Sequence, residues 1–214
     1  MSEEEKFLEA VKKLREQENK NEKKRNFDQT LDLIINLKDF DIRKDSFSLF
    51  IELPFKVKDK KIAGFLENDT KLIEVIKKED FPSFKEKKDI KKLVKKYDFF
   101  IANAKLMPSI ATNFGRVLGP AGKMPNPQLG IITNEDDKVI KELIGKINST
   151  IRVRVKEPSI KIGVGKESLE DNRIVENLLT AYRKILENLP KKIDNIRNVK
   201  IKFTMNKPVV VNIK

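Results

Sequence analysis

Gln29-Thr30-Leu31-Asp32-Leu33-Ile34-Ile35-Asn36-Leu37 decides how this chain folds. Leu31, Leu33, Ile35 and Leu37 project one way and Thr30, Asp32, Ile34 and Asn36 the other, the period of two that marks a strand with one face in a core. A second strand follows, in which Leu49, Ile51 and Leu53 alternate with Ser48, Phe50 and Glu52 until Pro54 stops it. Upstream, Ser2 and Glu5 spell a capping box, and Phe7, Leu8, Val11 and Leu14 share one stripe, which predicts a helix over residues 3–17. The charged run Asn19-Lys-Asn-Glu-Lys-Lys-Arg25 reads as a linker between that helix and the first strand.

Strands of this kind return only near residue 150. Residues 151–155 and 159–163 flank Glu157-Pro158, which reads as a hairpin turn. Residues 171–189 give the longest predicted helix, with Ile174, Val175, Leu178, Leu179, Tyr182, Ile185, Leu186 and Leu189 on one broad stripe. Residues 199–204 and 209–213 close the chain as strands. Neither end builds a stable sheet alone, since each supplies only two or three strands with an apolar face to cover. Both ends are therefore expected to fold together.

The middle has a different rhythm. Short strands at 61–66 and 99–102 alternate with helices at 70–78, 86–97, 108–113 and 136–147, and a Gly/Pro-rich loop occupies 115–130. Such alternation predicts a small, parallel, doubly wound unit inserted between the two ends, with crossing segments near 57–61 and 150–152.

Composition narrows the chemistry. The 214 residues carry 46 Lys and Arg against 33 acids, a formal charge of +13, so a polyanion is the natural partner, unless every protein of the source is as lysine-rich. There is no Cys, His or Trp, which excludes disulfides, Cys/His zinc sites and catalysis by thiolate or imidazole. No apolar run approaches the ~18 residues of a membrane span and residues 1–25 have no signal-peptide core, so a soluble, intracellular protein is expected.

Gly119-Pro-Ala-Gly-Lys123 superficially resembles a phosphate cradle. A P-loop needs a Gly five places before the Gly-Lys pair and a hydroxyl after it, and Val117 and Met124 fill those places. Gly163-Val-Gly-Lys166-Glu167 has no hydroxyl directly after its lysine either. The bare Gly119-x-x-Gly122 spacing also fits KH loops, but Pro120 lies inside it, and Pro125 and Pro127 deny it a following helix. Lys87, Lys88, Lys91, Lys92, Lys95 and Lys96 line one side of a helix, either as a solvated face or as a contact for phosphates. Sharper signals lie at the two ends. Lys23-Lys-Arg25-Asn-Phe27 brings an aromatic to the mouth of the first strand, while Lys200, Lys202 and Thr204 share the face opposite Val199, Ile201 and Phe203. Hydroxyl, carboxylate and backbone groups on a sheet face suit the 2′-hydroxyls and phosphates of structured RNA.

Arg25-Asn-Phe27, Leu118-Gly-Pro-Ala-Gly-Lys-Met-Pro-Asn-Pro127 and Thr204-Met205 occur in an order and spacing that resembles the ribosomal protein L-one family, over nearly the whole chain. The Lys-Arg-Asn-Phe form and the length are more similar to archaeal or eukaryotic members than to bacterial ones. The resemblance implies an α/β fold of two domains: a discontinuous α+β sandwich from residues 1–58 and 152–214, and an inserted Rossmann-like three-layer α/β domain over residues 59–151. It implies a non-catalytic, cytoplasmic, ribosome-associated constituent of the large subunit, without cofactor or metal. Such a protein binds the stalk helices of large-subunit rRNA near the tRNA exit site, assists release of deacylated exit-site tRNA, and in several members represses its own mRNA.

By position, Arg25, Phe27, Thr30 and Asp32 match one RNA-contact patch, and Thr204, Met205 and Asn206 the other, where the family usually has Thr-Met-Gly. Asn is among the few residues that tolerate the left-handed backbone a glycine permits. Lys166 is a further carry-over, Lys200 and Lys202 extend the second patch, and Lys123 is expected to make a secondary RNA contact. Two rivals stand beside this reading. One is a small α/β enzyme acting on a phosphorylated substrate through the Gly-rich loop. The other is a free translational repressor that does not reside in the ribosome.

Overall fold

The structure, a computed structural model, describes residues 2–20, 26–84 and 86–213. In chain order the elements are α1 (Glu3–Asn19), β1 (Thr30–Leu37), α2 (Ile42–Asp45), β2 (Ser48–Glu52), β3 (Ile62–Phe65) and β4 (Glu74–Val75). There follow α3 (Lys87–Lys96), β5 (Phe99–Asn103), α4 (Met107–Ala121), β6 (Ile131–Ile132), α5 (Asp137–Ser149) and β7 (Thr150–Arg154). The last four are β8 (Ser159–Lys166), α6 (Asp171–Asn188), β9 (Ile196–Phe203) and β10 (Val209–Val211). The fold is mixed α/β and divides into two compact units, residues 1–58 with 149–214, and residues 59–148.

The first unit is built on an antiparallel sheet in the order β10-β9-β1-β8. Strand β1, from one end of the chain, lies between two strands from the other, and its residues are alternately buried and half-buried along its whole length. Leu31, Leu33, Ile35 and Leu37 enter a single apolar cluster with Phe7, Val11 and Leu14 of α1 and Ile174, Leu178 and Tyr182 of α6. The capping box of Ser2 and Glu5 starts α1, and Phe7 meets the Tyr182 ring edge-on at 5.9 Å. Arg15 of α1 binds the Asp171 carboxylate at 3.1 Å and the Leu169 carbonyl at 2.8 Å, which fastens α1 to the start of α6.

Strands β2 and β7 pair with each other as a separate ribbon, and their inward residues Ile51 and Val153 join the same core. The hairpin expected at Glu157-Pro158 is therefore absent. The chain changes sheets there, β7 pairing with β2 and β8 with β1, and the Pro158 carbonyl accepts the Leu37 N–H at 2.9 Å. Thr150 and Ile151, assigned to the insertion from sequence, pair with Glu52 and Ile51 and so belong to the first unit.

The second unit is a parallel sheet in the order β4-β3-β5-β6. Ala63, Phe65, Phe100 and Ala102 face α3 and α4, whereas Ile62, Leu66 and Ile101 face α5, which makes three layers. The helix expected at 70–78 is not formed. Val75 packs toward the α5 side and Ile76 toward the other, and only extended backbone sends neighbours to opposite faces. Helix α4, by contrast, runs well into the stretch expected to be a loop. Ile110, Phe114 and Leu118, four apart, are all fully buried, and their burial outweighs the poor helix propensity of Gly115, Gly119 and Pro120. Gly122 ends the helix with φ 70°, its N–H reaching the Gly119 carbonyl at 2.9 Å while Lys123 N–H reaches Leu118 at 3.0 Å.

Asn177 is a fully buried polar side chain in α6. Its amide donates to the carbonyls of Phe55 (3.1 Å) and Val164 (2.9 Å), and its oxygen accepts the Phe55 N–H at 3.0 Å. It thus fixes the segment after β2 to the edge strand β8. Asn177→Leu keeps the branched shape but strands three backbone groups, each worth about 1–3 kcal/mol when left unmet. Urea unfolding is expected to show a loss of at least that size; a variant as stable as the parent would mean that water or a shift of the segment satisfies them.

Candidate nucleic-acid interface

The outer face of the four-stranded sheet is assembled row by row from its register. Lys161, Ile34 and Lys200 stand side by side on β8, β1 and β9, then Gly163, Asp32 and Lys202, and Ser159, Asn36 and Asn198 form a further row. Val210 of β10 extends the Lys200 row and is 51% exposed. A Cβ at Gly163 would lie 2.9 Å from the Thr30 methyl carbon and 3.6 Å from the Asp32 carboxylate, so the glycine leaves both side chains uncovered.

At one end of this face three segments meet. Thr204 accepts the Thr30 N–H at its hydroxyl (3.3 Å) and returns both its own N–H (3.0 Å) and its hydroxyl proton (3.1 Å) to the Thr30 carbonyl. Met205 N–H donates to the Gln29 side-chain oxygen at 3.2 Å, and Glu167 N–H to the Gln29 carbonyl at 2.8 Å. The Asp28 carboxylate accepts the Ser168 N–H (3.0 Å) and hydroxyl (2.9 Å), while the Lys166 ammonium donates to the Asp28 carbonyl at 3.0 Å. Around this knot two large apolar side chains stay in solvent, Phe27 at 54% and Met205 at 60% exposure. An exposed aromatic and thioether beside ammonium groups offer stacking surface and charge together.

Residues 17–207 match the model of the Ribosomal protein L1p/L10e family. The chain belongs to this family. It is 37% identical to the large ribosomal subunit protein uL1 of Nanoarchaeum equitans, across 95% of this chain and 98% of that protein. It is 36% identical to the uL1 of Thermococcus kodakarensis, with 96% of each covered, and 34% identical to that of Methanothermobacter thermautotrophicus, with 95% and 97% covered.

Of the residues singled out from sequence, Phe27, Thr30, Asp32, Lys166, Lys200, Lys202, Thr204 and Met205 of this L1-family chain come together on the one sheet face or at its end. Arg25 lies outside the described residues. Asn206 departs from expectation. It is not among the described residues with positive φ, its N–H closes a turn onto the Phe203 carbonyl at 2.9 Å, and only 8% of it is exposed. Its side chain is buried rather than presented at the surface. Lys161, Asn36 and Asn198 share the face and were missed, because only the pairing of distant strands reveals who stands beside Asp32 and Ile34.

Lys123 also departs. It lies in the second unit, and its ammonium donates to the carbonyls of Val94 and Tyr97, each at 2.7 Å, closing the C-terminus of α3. The Gly-rich stretch is accordingly a helix end tied to its neighbour, and its lysine is spent on backbone. The carboxyl ends of the parallel strands, where doubly wound sheets bind phosphates, hold an internal anion instead. Glu135 accepts N–H groups of Glu67 (3.0 Å) and Asn68 (2.8 Å) and the Asn103 amide (2.6 Å). Burial works against its ionisation, but these donors prevail and hold its carboxyl below the usual range. Lys123 and the strand ends are thus engaged within the unit, and the Gly-rich loop presents no ammonium free of backbone contacts.

Burial pushes the Asp32 carboxyl above its ordinary range, against a smaller opposing pull from Lys202. The folded chain then keeps this proton to higher pH than the unfolded one, so ionised Asp32 costs stability above the ordinary carboxylate range. Asp32→Asn is expected to raise the urea midpoint at pH 7, with the gain vanishing as pH falls below that range; a lower midpoint at pH 7 would contradict it. Lys123→Met, in contrast, is expected to cost about 2 kcal/mol by removing hydrogen bonds from a charged donor, with RNA affinity unchanged in a filter-binding assay.

Proposed function

We propose that this chain is a structural, non-catalytic constituent of the large ribosomal subunit that grips structured rRNA with the outer sheet face of its first unit. The observation that carries the reading is the meeting of residues 27–32, 166–168 and 204–205 at one end of a lysine-bearing sheet face. Family membership and relatives named large ribosomal subunit protein uL1 support the ribosomal setting. On this reading the two units are the two domains of the family, the one built from both chain ends holding the stalk helices near the tRNA exit site. The protein assists release of deacylated tRNA, binds a similar fold in its own mRNA to repress translation, and works in the cytoplasm on the ribosome.

Lys161, Lys166, Lys200 and Lys202 position phosphates, while Thr30, Asp32 and Thr204 address 2′-hydroxyls. Filter binding to stalk rRNA is expected to weaken steeply with salt, log K falling by about 0.9 per log unit of salt for each phosphate neutralised. Phe27→Ala is expected to weaken binding about tenfold, the worth of one stacked base, with an unchanged thermal melt. Salt-insensitive binding, or a melt that collapses with Phe27, would sink the reading. Sedimentation with large subunits separates the ribosomal constituent from a repressor that acts free of the ribosome.

A further inference from the structure

The second unit has its own basic cleft. A groove of about 640 Å3 runs between the 3-10 turn Lys78–Phe84, the first turn of α3 and the outer side of α4. Lys78, Lys87 and Arg116 line it, and among the described residues none of the three is paired with a carboxylate. Of the four acids close to it in sequence, Asp80 is engaged with the Lys77 N–H at 3.1 Å and Asp89 with Lys92 at 3.0 Å, while Glu79 and Glu86 do not line the groove. The wall is apolar and stiff. Phe84 is half-buried, with its ring 5.7 Å from Phe114, which in turn packs on Phe65 and Phe81. Thr112 gives its hydroxyl proton to the Pro108 carbonyl (3.0 Å) and Asn113 one amide N–H to the Ser109 carbonyl (2.8 Å), so both side-chain oxygens and one Asn113 N–H remain for the groove.

We infer that this groove is a second RNA site that takes one unpaired nucleotide, its phosphate on Arg116, Lys87 and Lys78 and its base against Phe84. Three cations that, among the described residues, have no carboxylate bonded to them call for an anion. The planar guanidinium of Arg116 matches phosphate geometry, and an aromatic wall flanked by acceptors and one amide donor suits the flat face and hydrogen-bonding edge of a base better than an acidic side chain. A duplex does not offer such a base without unstacking it, so the occupant is single-stranded. The inference rests on the reading that the chain works on RNA, but uses residues that the sheet face does not.

The test is fluorescence anisotropy of labelled hexauridylate with the full-length protein at low salt, beside filter binding of stalk rRNA. Wild type is expected to bind the hexamer. Combined Lys87→Ala and Arg116→Ala is expected to lower the salt slope by about 0.7 for each phosphate of the single strand that is no longer neutralised. Phe84→Leu is expected to weaken hexamer binding about tenfold. Phe27→Ala leaves the hexamer bound. The lysine–arginine variant should melt as the parent does, since both side chains reach into the groove, and Phe84→Leu should lower the melt only by its lost ring contact with Phe114 while the fold is kept. Absence of hexamer binding, an affinity indifferent to Arg116 and Lys87, or displacement by polyglutamate as readily as by RNA would each overturn the groove as a nucleotide site. Loss of stalk binding alone would instead count against the sheet-face reading and leave the groove standing.

Discussion

Everything in the first unit depends on one strand being held on both edges. Strand β1 pairs with β8 on one side and β9 on the other, so two regions more than a hundred residues apart in sequence are joined by backbone hydrogen bonds. Because side chains alternate, that register settles two matters at once. It sends Leu31, Leu33, Ile35 and Leu37 into the core, and it lines up Asp32 with Lys202 and Ile34 with Lys200 and Lys161 on the outer face. A slip of one residue would exchange the two sets. Asn195 guards the end of the strand, with its amide on the carbonyls of Lys38 and Asp39, each at 3.1 Å, where Asp39 turns at φ 50°.

Period-two alternation made β1, β2 and β9 legible in the sequence, and the broad stripe of α6 was equally plain. Strand counting also exposed the joining of the two ends, because neither end can cover its apolar face alone. What stayed hidden was non-local. Val75 and Ile76 look like part of a helical stripe until the sheet between their two destinations is known. Gly115, Gly119 and Pro120 look like a loop until the core beneath Phe114 and Leu118 is seen. Glu157-Pro158 looks like a hairpin because a local pattern does not tell which sheet a strand will enter.

The candidate site divides in the same way. Phe27, Thr30, Asp32, Thr204 and Met205 were legible because short motifs carry them, and the lysines of β9 because they alternate with core residues. Asn177, Asn206 and Lys123 were misjudged or overlooked because their value is internal: each satisfies or occupies buried ground that sequence does not display. The stretch most diagnostic of the family thus works as architecture in this chain. Its glycine ends a helix, its lysine closes another, and the hydrogen-bonding groups at the carboxyl ends of the parallel strands are already taken by Glu135.

The order in which the ribosome makes this chain now acquires weight. Residues 59–148 form a contiguous unit with a parallel sheet of their own, able to close as soon as they emerge. Strand β1 emerges far earlier, yet both its flanking strands belong to the last third of the chain, and β10 is reached only at Val209. Until β8 and then β9 are made, its two hydrogen-bonding edges have no native partner, the condition under which nascent strands associate wrongly. The outer sheet face is consequently completed late, and a truncated product would carry the inserted unit without it.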